Sequence, residues 1–570
     1  MIARWKLFNF KSIKNETKLD FGPLTIFAGA NSSGKSAWLQ SMLLISQTLA
    51  HRVGSRSVVL NGTLTKLGQF NDLKSQGSEA GQISIGFDCA VTDQPTVENS
   101  RSTLADALSR FSWVGSPKLE TVSCELSFDA DPSSPERELY QLQPRLFGCQ
   151  LSVVSTAKRE DKTEVRTSVV TVSRASGLAD SRSKLDGLSE KEKATSWAEA
   201  ALKFDVTLDP ESSSELREVF SAQQVGCVLR HFLPDQLVVR LRPGKSGLLT
   251  GAQELIWRLW SKTETQGQPP PGATDVGNPE PPVEETLTAI QLPGSLQSAV
   301  TYLDRFFTRS VKYLGPLRDE PKALYPLATG VEPTDVGLRG EYTAAVLDLH
   351  KTQRIRYLPS EGFANPQVEA SSLLRSLDAA VTDWLKYLDV AESVVTVDKG
   401  KLGHELKIIP PGLKEPHDLT HVGVGVSQVL PILVMCLLAE PDTTLIFEQP
   451  ELHLHPKVQT LLGDFFLSMS LLGKQCILET HSEYLINRLR FRAAAATTDD
   501  VSNAIKMYFV EKVGDSSTFR SVVVNEFGAI MDWPEGFFDQ SQSEAEEILR
   551  AATRKRQSRG RRLPHAERHD

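Results

Sequence analysis

The chain has 570 residues, of which 40% are apolar and 24% charged, an ordinary globular composition whose core needs no covalent staples. That length predicts two or three domains. A formal net charge of −8 and a pI near 5.9 argue against a protein that coats nucleic acid through overall basicity, while leaving a local basic surface open.

In chain order, the N-terminus MIARWKLFNFKSIKNETKLDF alternates charge and hydrophobicity and lacks the apolar core of a signal peptide. Ala3–Phe10 and Lys18–Phe21 have the alternation of strands. Leu24–Ala28, a continuous apolar run bounded by Gly22-Pro23 and Gly29, has the pattern of a buried central strand. After a glycine-rich loop, Ser36–Leu49 carries apolar residues at helical spacing. The texture changes over residues 76–310, where short alternating strands (Gln82–Phe87, Thr121–Phe128, Leu151–Ser155) mix with charged helical stretches such as Lys191–Leu202. Residues 263–285, rich in Pro, Gly and acids, have the composition of a disordered linker. There is no internal repeat and no sustained heptad pattern, so a long coiled-coil arm is not expected.

From residue 311 the pattern is compact again: Tyr313–Arg318 reads as a strand entering a turn, Tyr342–His350 and Ser371–Leu388 as helices, and Ile505–Val524 as a hairpin. The last segment, 531–570, holds Trp533, Phe537 and Phe538, read as packing or as a docking surface. It ends in a basic tail with Arg554, Lys555, Arg556, Arg559, Arg561, Arg562 and Arg568. The longest apolar run, Val429–Ala439, is shorter than the ~20 residues a membrane span needs, so no membrane is expected. The cysteines (Cys89, Cys124, Cys149, Cys227, Cys436, Cys476) form no C-x-x-C pair, which argues against a disulfide framework and a zinc module and fits a reducing cytoplasm.

Four motifs carry chemistry. Gly29-Ala-Asn31-Ser32-Ser33-Gly34-Lys35-Ser36 matches G-x-x-x-x-G-K-[ST] in full, between a strand and a helix. Its amides, through Ala37 at the helix start, would cradle a polyphosphate, Lys35 would reach the β- and γ-phosphates, and the Ser36 hydroxyl would bind Mg2+. Thr443–Glu451 is an apolar run ending in Glu448, Gln449 and Glu451, placing Glu448 to hold the Mg2+ water, or as a plain capping acid. Lys474–Ser482 is a second such strand, ending at His481, which would contact a γ-phosphate or position the attacking water, or else be a satisfied structural histidine. Gly423-Val-Gly425-Val-Ser427-Gln428 opens an apolar helix and forms another anion-binding N-terminus; a mere cap would explain it alone, but it lies about twenty residues before the carboxylate strand. His453 and His455, with no third ligand nearby, are assigned to packing or an interface, not to zinc.

The order of NFKS (Asn9–Ser12), GANSSGKS, GVGVSQ, FEQPELHLHP (Phe447–Pro456) and ETHSEYLINRLR (Glu479–Arg490) resembles the RecF/SMC/OLD branch of ABC-type ATPases. Within it, the chain is most similar to a little-characterised bacterial group with a segment like Trp533–Asp539. The likeness covers about residues 1–75 and 310–540. It implies that Gly425, Ser427 and Gln428 form the signature motif facing ATP on another subunit, and that His481 is the switch histidine. Gln69 would be the Q-loop glutamine, a metal-site residue with Ser36 and Glu448, or simply a polar turn residue. Two ATP molecules between two heads would make an ATP-dependent homodimer or a larger assembly. One departure stands out. Where the family has a metal-binding Asp and then a catalytic Glu, this chain has Glu448 and then Gln449, and an amide cannot accept a proton from water. Glu451 is an alternative base.

The expected architecture is an α/β, ABC-type P-loop ATPase head built from residues 1–75 and 311–530 and split by an inserted α+β region. By family analogy the chain would be a sensor or switch subunit of an anti-phage defence system beside an effector such as a nuclease. The alternatives are a RecF-like repair ATPase contacting DNA directly and an OLD-type ATPase–nuclease. Too few residues follow His481 for the latter's nuclease domain, and the missing coiled coil argues against an SMC-like clamp. Arg318 and Arg488 are further candidates for phosphate contact, or structural ion-pair members.

Overall fold

A computed structural model describes residues 1–92, 118–131, 133–159, 162–175, 201–210, 212–213, 222–241, 286–327, 334–368, 371–421, 425–531 and 540–560. The chain forms two units, one of Met1–Phe21 with Ala37–Val311, the other of Gly22–Ser36 with Lys312–Asp570. The stretch 263–285, Gly423, the Trp533–Asp539 segment, and Arg561, Arg562 and Arg568 lie outside the described residues.

The second unit is built on a six-stranded sheet. Its strands in chain order are β1 (Leu24–Gly29), β2 (Val311–Leu314), β3 (Thr444–Glu448), β4 (Gln475–Thr480), β5 (Ile505–Val513) and β6 (Ser516–Val522). The spatial order is β2-β3-β4-β1-β5-β6. β3, β4, β1 and β5 run parallel, and β6 returns antiparallel to β5. Parallel strands covered on both faces need apolar residues at successive positions, and β1 and β4 are buried throughout apart from the terminal Gly29. One apolar cluster joins this sheet to the helices Leu377–Tyr387, Gly425–Leu438, Pro456–Leu471 and Glu483–Ala495. Gly425–Leu438 is buried at every position from Val426 onward, yet contains Pro431. Proline has no N–H, so the Ser427 carbonyl takes no amide from the position one turn on.

Part of the stretch 371–388 departs from its helical reading. Leu373–Ser376 is a strand paired antiparallel with Arg354–Tyr357, and the helix starts at Leu377 with Ser376 as its cap. Short-range apolar spacing favours the helix; cross-strand pairing wins over its first residues. Of the C-terminal basic run, Arg554, Lys555 and Arg556 lie in the helix Gln540–Gly560.

The first unit carries a seven-stranded sheet in the order 17–20, 2–8, 82–90, 118–129, 145–159, 162–174 and 204–208, antiparallel throughout. The strand Ile2–Phe8 pairs with Gln82–Ala90, so the strands beyond residue 75 extend the sheet begun at the N-terminus. Trp5 stacks on Phe87 at 5.1 Å, and Phe307 meets Phe87 edge-on at 4.9 Å. The Trp5 indole N–H donates to Ser41 Oγ at 3.0 Å. A second, three-stranded sheet contains 286–291, 233–241 and 222–230.

Candidate nucleotide-binding site

The loop Gly29–Ser36 leaves the central strand β1 through a residue that must be glycine. Gly29 has φ +147°, and a Cβ there would stand 2.3 Å from the Val510 carbonyl oxygen of β5. Ser32 (φ 60°) and Gly34 (φ 99°) are also left-handed, so the backbone curls before the helix Lys35–Leu49 begins. Ser517 on β6 donates to the Ser33 carbonyl at 2.5 Å and ties the loop to the sheet. Asn31 and Ser32 are exposed, Ser33 is buried, and the helix has no acid in its first turn to compete with an anion. Lys35 is buried and donates to the carbonyls of Gly29 (3.1 Å) and Ala30 (2.7 Å). Burial holds its pKa below the ordinary lysine value, opposed by Glu479 and Glu451.

Carboxylates end the two neighbouring strands in register, Glu448 on β3 opposite Glu479 on β4. The Ser36 hydroxyl is 3.1 Å from Glu479 Oε1, so its structural partner is Glu479 rather than Glu448. Burial, then the nearby Glu448 charge, pushes the Glu479 carboxyl up to about 7, against the Ser36 hydrogen bond and Lys35. Its other oxygen is buried without a hydrogen-bond partner. Tyr313 at the end of β2 donates to Glu448 Oε1 at 2.9 Å. Gln449 adopts φ +44° and its N–H donates to the Glu479 carbonyl at 2.7 Å, so the chain turns sharply just after β3. Glu451 is buried and accepts the His481 backbone N–H at 2.6 Å. Burial raises the Glu451 carboxyl above its usual range. The His481 ring is held below its ordinary pKa by burial and then by Lys35, against a hydrogen bond to the Gly29 backbone.

Lys35, Ser36, Glu448, Gln449 and His481 therefore come together at one end of one sheet. Gly425, Ser427 and Gln428 stand on the first turn of a separate helix in the same unit, Ser427 and Gln428 both buried. Ala37 and Gln69 belong to the other unit. The Gln69 N–H donates to Asp72 Oδ2 at 2.7 Å and opens the helical turn Phe70–Leu73. Arg488 pairs with Asp464 at 2.7 Å, a structural bond, and His455 caps the helix Pro456–Leu471 by accepting the Lys457 N–H. Glu479 and Tyr313 are the residues that sequence reasoning passed over. The signal for Glu479 was its place two residues before His481 at the end of an apolar strand.

A glycine-rich phosphate-type loop after the central strand of a parallel sheet, with carboxylates ending adjacent strands, defines a mixed α/β fold of the P-loop ATPase type. Residues 358–487 match the family described as "AAA domain, putative AbiEii toxin, Type IV TA system", a span that includes Ser427, Glu448 and His481. Residues 502–548 match a family described as a protein of unknown function, DUF3696. A comparison with curated proteins finds no significant match. Among solved structures, an SMC head bound to the C-terminal winged-helix domain of ScpA is 12% identical with a TM-score of 0.38, covering 92% of this chain and 98% of that one. The SMC head domain from Thermotoga maritima is 9% identical with a TM-score of 0.33, covering 92% and 99%. An Smc head with an extended coiled coil, bound to the C-terminal domain of ScpA and derived from Pyrococcus furiosus, is 12% identical with a TM-score of 0.36, covering 96% and 99%. Likeness at this level transfers neither activity nor partner. No helix among the described residues is long and apolar enough to cross a membrane.

Proposed function

We propose that the chain is an ATP-binding ATPase of the ABC type that hydrolyses slowly and uses nucleotide mainly as a switch. The observation that carries this is the meeting of Lys35 and Ser36 with Glu479, Glu448 and His481 at the carboxyl ends of adjacent parallel strands. Loop amides and Lys35 would take the phosphates. The donor set fits Mg2+, a hard cation that prefers oxygen: a serine hydroxyl beside a buried carboxylate with an unpartnered oxygen. Ser36, Glu479 and Glu448 would hold the ion, which when bound supplies charge neutralisation of the phosphates.

Gln449 carries the slow-hydrolysis part of the reading. It follows Glu448 where the resembling ATPases have a glutamate, and its amide orients water without accepting a proton. Glu451 is the nearest carboxylate that would replace it as base. Closure of two copies around ATP, with Gly425 and Ser427 of one copy on the γ-phosphate of the other, is the assembly this reading implies. The family description of residues 358–487 names a toxin and a Type IV TA system, which is consistent with a defence setting; a separate effector such as a nuclease belongs to the proposal.

The test is ATP binding and turnover by the purified chain, with and without double-stranded DNA, against Lys35→Ala. Tight binding lost in Lys35→Ala, with wild-type turnover near background, is expected. Rapid wild-type turnover would sink the switch reading. Binding that survives Lys35→Ala would sink the nucleotide site itself.

A further inference from the structure

Arg318 lies four residues beyond the end of β2 and is only 6% exposed. None of its three guanidinium nitrogens has a hydrogen-bond partner. A guanidinium carries five N–H donors and a permanent charge, and burying it unpaired is strongly unfavourable unless something else meets it. Its electrostatic neighbours, in order of strength, are Tyr313, Glu451 and Glu448, all members of the cluster at the strand ends. Glu451 also keeps one buried oxygen, Oε2, without a partner. Arg318 feels the Glu451 charge, yet the two form no hydrogen bond or ion pair. Burial draws the guanidinium pKa down to about 10, the mark of a cation whose protein surroundings do not repay its desolvation.

We propose that Arg318 is a substrate-binding residue of the same site, its planar fork taking two oxygens of the terminal phosphate of ATP. This rests on the nucleotide reading above. The ligand must be an acceptor and an anion, since arginine offers donors only, and the fork geometry matches phosphate or carboxylate. It must also be a small group brought in by the site, because the backbone of a nucleic acid cannot reach a side chain so deeply covered. The terminal phosphate fits because the groups whose charge Arg318 feels, Tyr313 and Glu448 among them, lead back to the loop. Tyr313 bonds Glu448, Glu448 lies in register with Glu479, and Glu479 bonds Ser36.

The experiment measures Kd for ATP and for ADP, each with Mg2+, and the melting temperature without nucleotide, for wild type, Arg318→Met, Arg318→Lys and Lys35→Ala. Arg318→Met is expected to weaken ATP about 10- to 100-fold, as loss of a charged hydrogen-bonding pair does, and to leave ADP unchanged. Its melting temperature should not fall, because an apolar side chain of similar volume replaces an unpaired buried charge. Arg318→Lys, which keeps charge but loses the fork, should lie between. An ATP-to-ADP preference in both variants equal to that of wild type overturns the proposal. So does an Arg318→Met chain that melts well below wild type while Arg318→Lys keeps the full preference, which would make Arg318 a structural partner of Glu451. ATP binding that survives Lys35→Ala is a separate result: it removes the nucleotide reading rather than the role of Arg318 alone.

Discussion

The two large sheets bury similar residue types by different rules. In the seven-stranded antiparallel sheet, side chains alternate between a buried and a wetter face, as in Lys118–Asp129, where Leu119, Val122, Cys124 and Leu126 are buried between exposed or half-buried neighbours. Polar groups are then spread along the strands. In the six-stranded sheet, β4 is buried at every position, so polar residues accumulate at its end, where Glu479 and Thr480 lead into His481. Four parallel strands, β3, β4, β1 and β5, put equivalent ends side by side. Polar chemistry gathers at one end where a sheet is parallel and dry, while in the antiparallel, half-wet sheet the charges pair off along the strands, as Arg4 does with Asp20 and Lys6 with Glu125.

The largest effect that would sharpen this comparison is on rate. If the ends of β3 and β4 form a hydrolytic site lacking only a base, then Gln449→Glu should raise ATP turnover by about 10²–10⁴-fold, the usual worth of general-base assistance. Single-turnover kinetics on the variant and wild type would show it. Equal rates would mean that Glu451 already serves as base or that Gln449 lies away from the water.

How far the sequence reached follows from the same contrast. β1 was legible because a wholly buried strand is a run of apolar letters, and the loop after it because phosphate cradling constrains glycine, lysine and serine at fixed spacing. Lys35, Ser36, Glu448 and His481 follow from such local patterns. The partnership of Ser36 with Glu479 is not local: it depends on β4 lying between β1 and β3, a register that no window of sequence contains. Tyr313 meets Glu448 across 135 positions of chain, and Leu373–Ser376 pairs with Arg354–Tyr357 although its own spacing is helical. The pairing of Ile2–Phe8 with Gln82–Ala90 was hidden for the same reason, so the N-terminal strands looked separate from the region after residue 75.

Ion pairs extend the comparison to stability. In the second unit Asp464 has a fully buried side chain and accepts from Arg492 Nε (2.6 Å), Arg488 Nε (2.8 Å) and the Tyr387 hydroxyl (2.7 Å). Arg492 is equally buried and also donates to the carbonyls of Phe363, Asn365 and Pro366. Asp464→Ala leaves that guanidinium inside without its counter-charge and should destabilise by about 3–5 kcal/mol in denaturant unfolding. The first unit has a comparable fork, Arg145 on Asp129 and Asp131, with the arginine side chain 20% exposed. Arg145→Ala leaves carboxylates 9% and 13% exposed, with the partly exposed space of Arg145 opened to water beside them, so the expected loss is smaller, about 1.5–3 kcal/mol. A loss at Arg145 as large as that at Asp464 would break the link between dryness and ionic stability drawn here.

The smallest effect is expected on the rim of the antiparallel sheet. Arg4 and Asp20 face each other across neighbouring strands, Nε to Oδ1 at 2.8 Å, with side chains 52% and 64% exposed. Asp20 holds the Arg4 guanidinium above its ordinary pKa, but a short distance is a weak guide to stability at this exposure. Both groups stay hydrated whether paired or not, two long side chains lose rotamer freedom to meet, and salt screens the attraction. A double-mutant cycle on Arg4→Met and Asp20→Asn should therefore give a coupling below about 1 kcal/mol, falling further in high salt. A salt-insensitive coupling as strong as that of Asp464 would show that this edge is drier than its exposure indicates, and that charge strength in this protein follows contact geometry rather than burial.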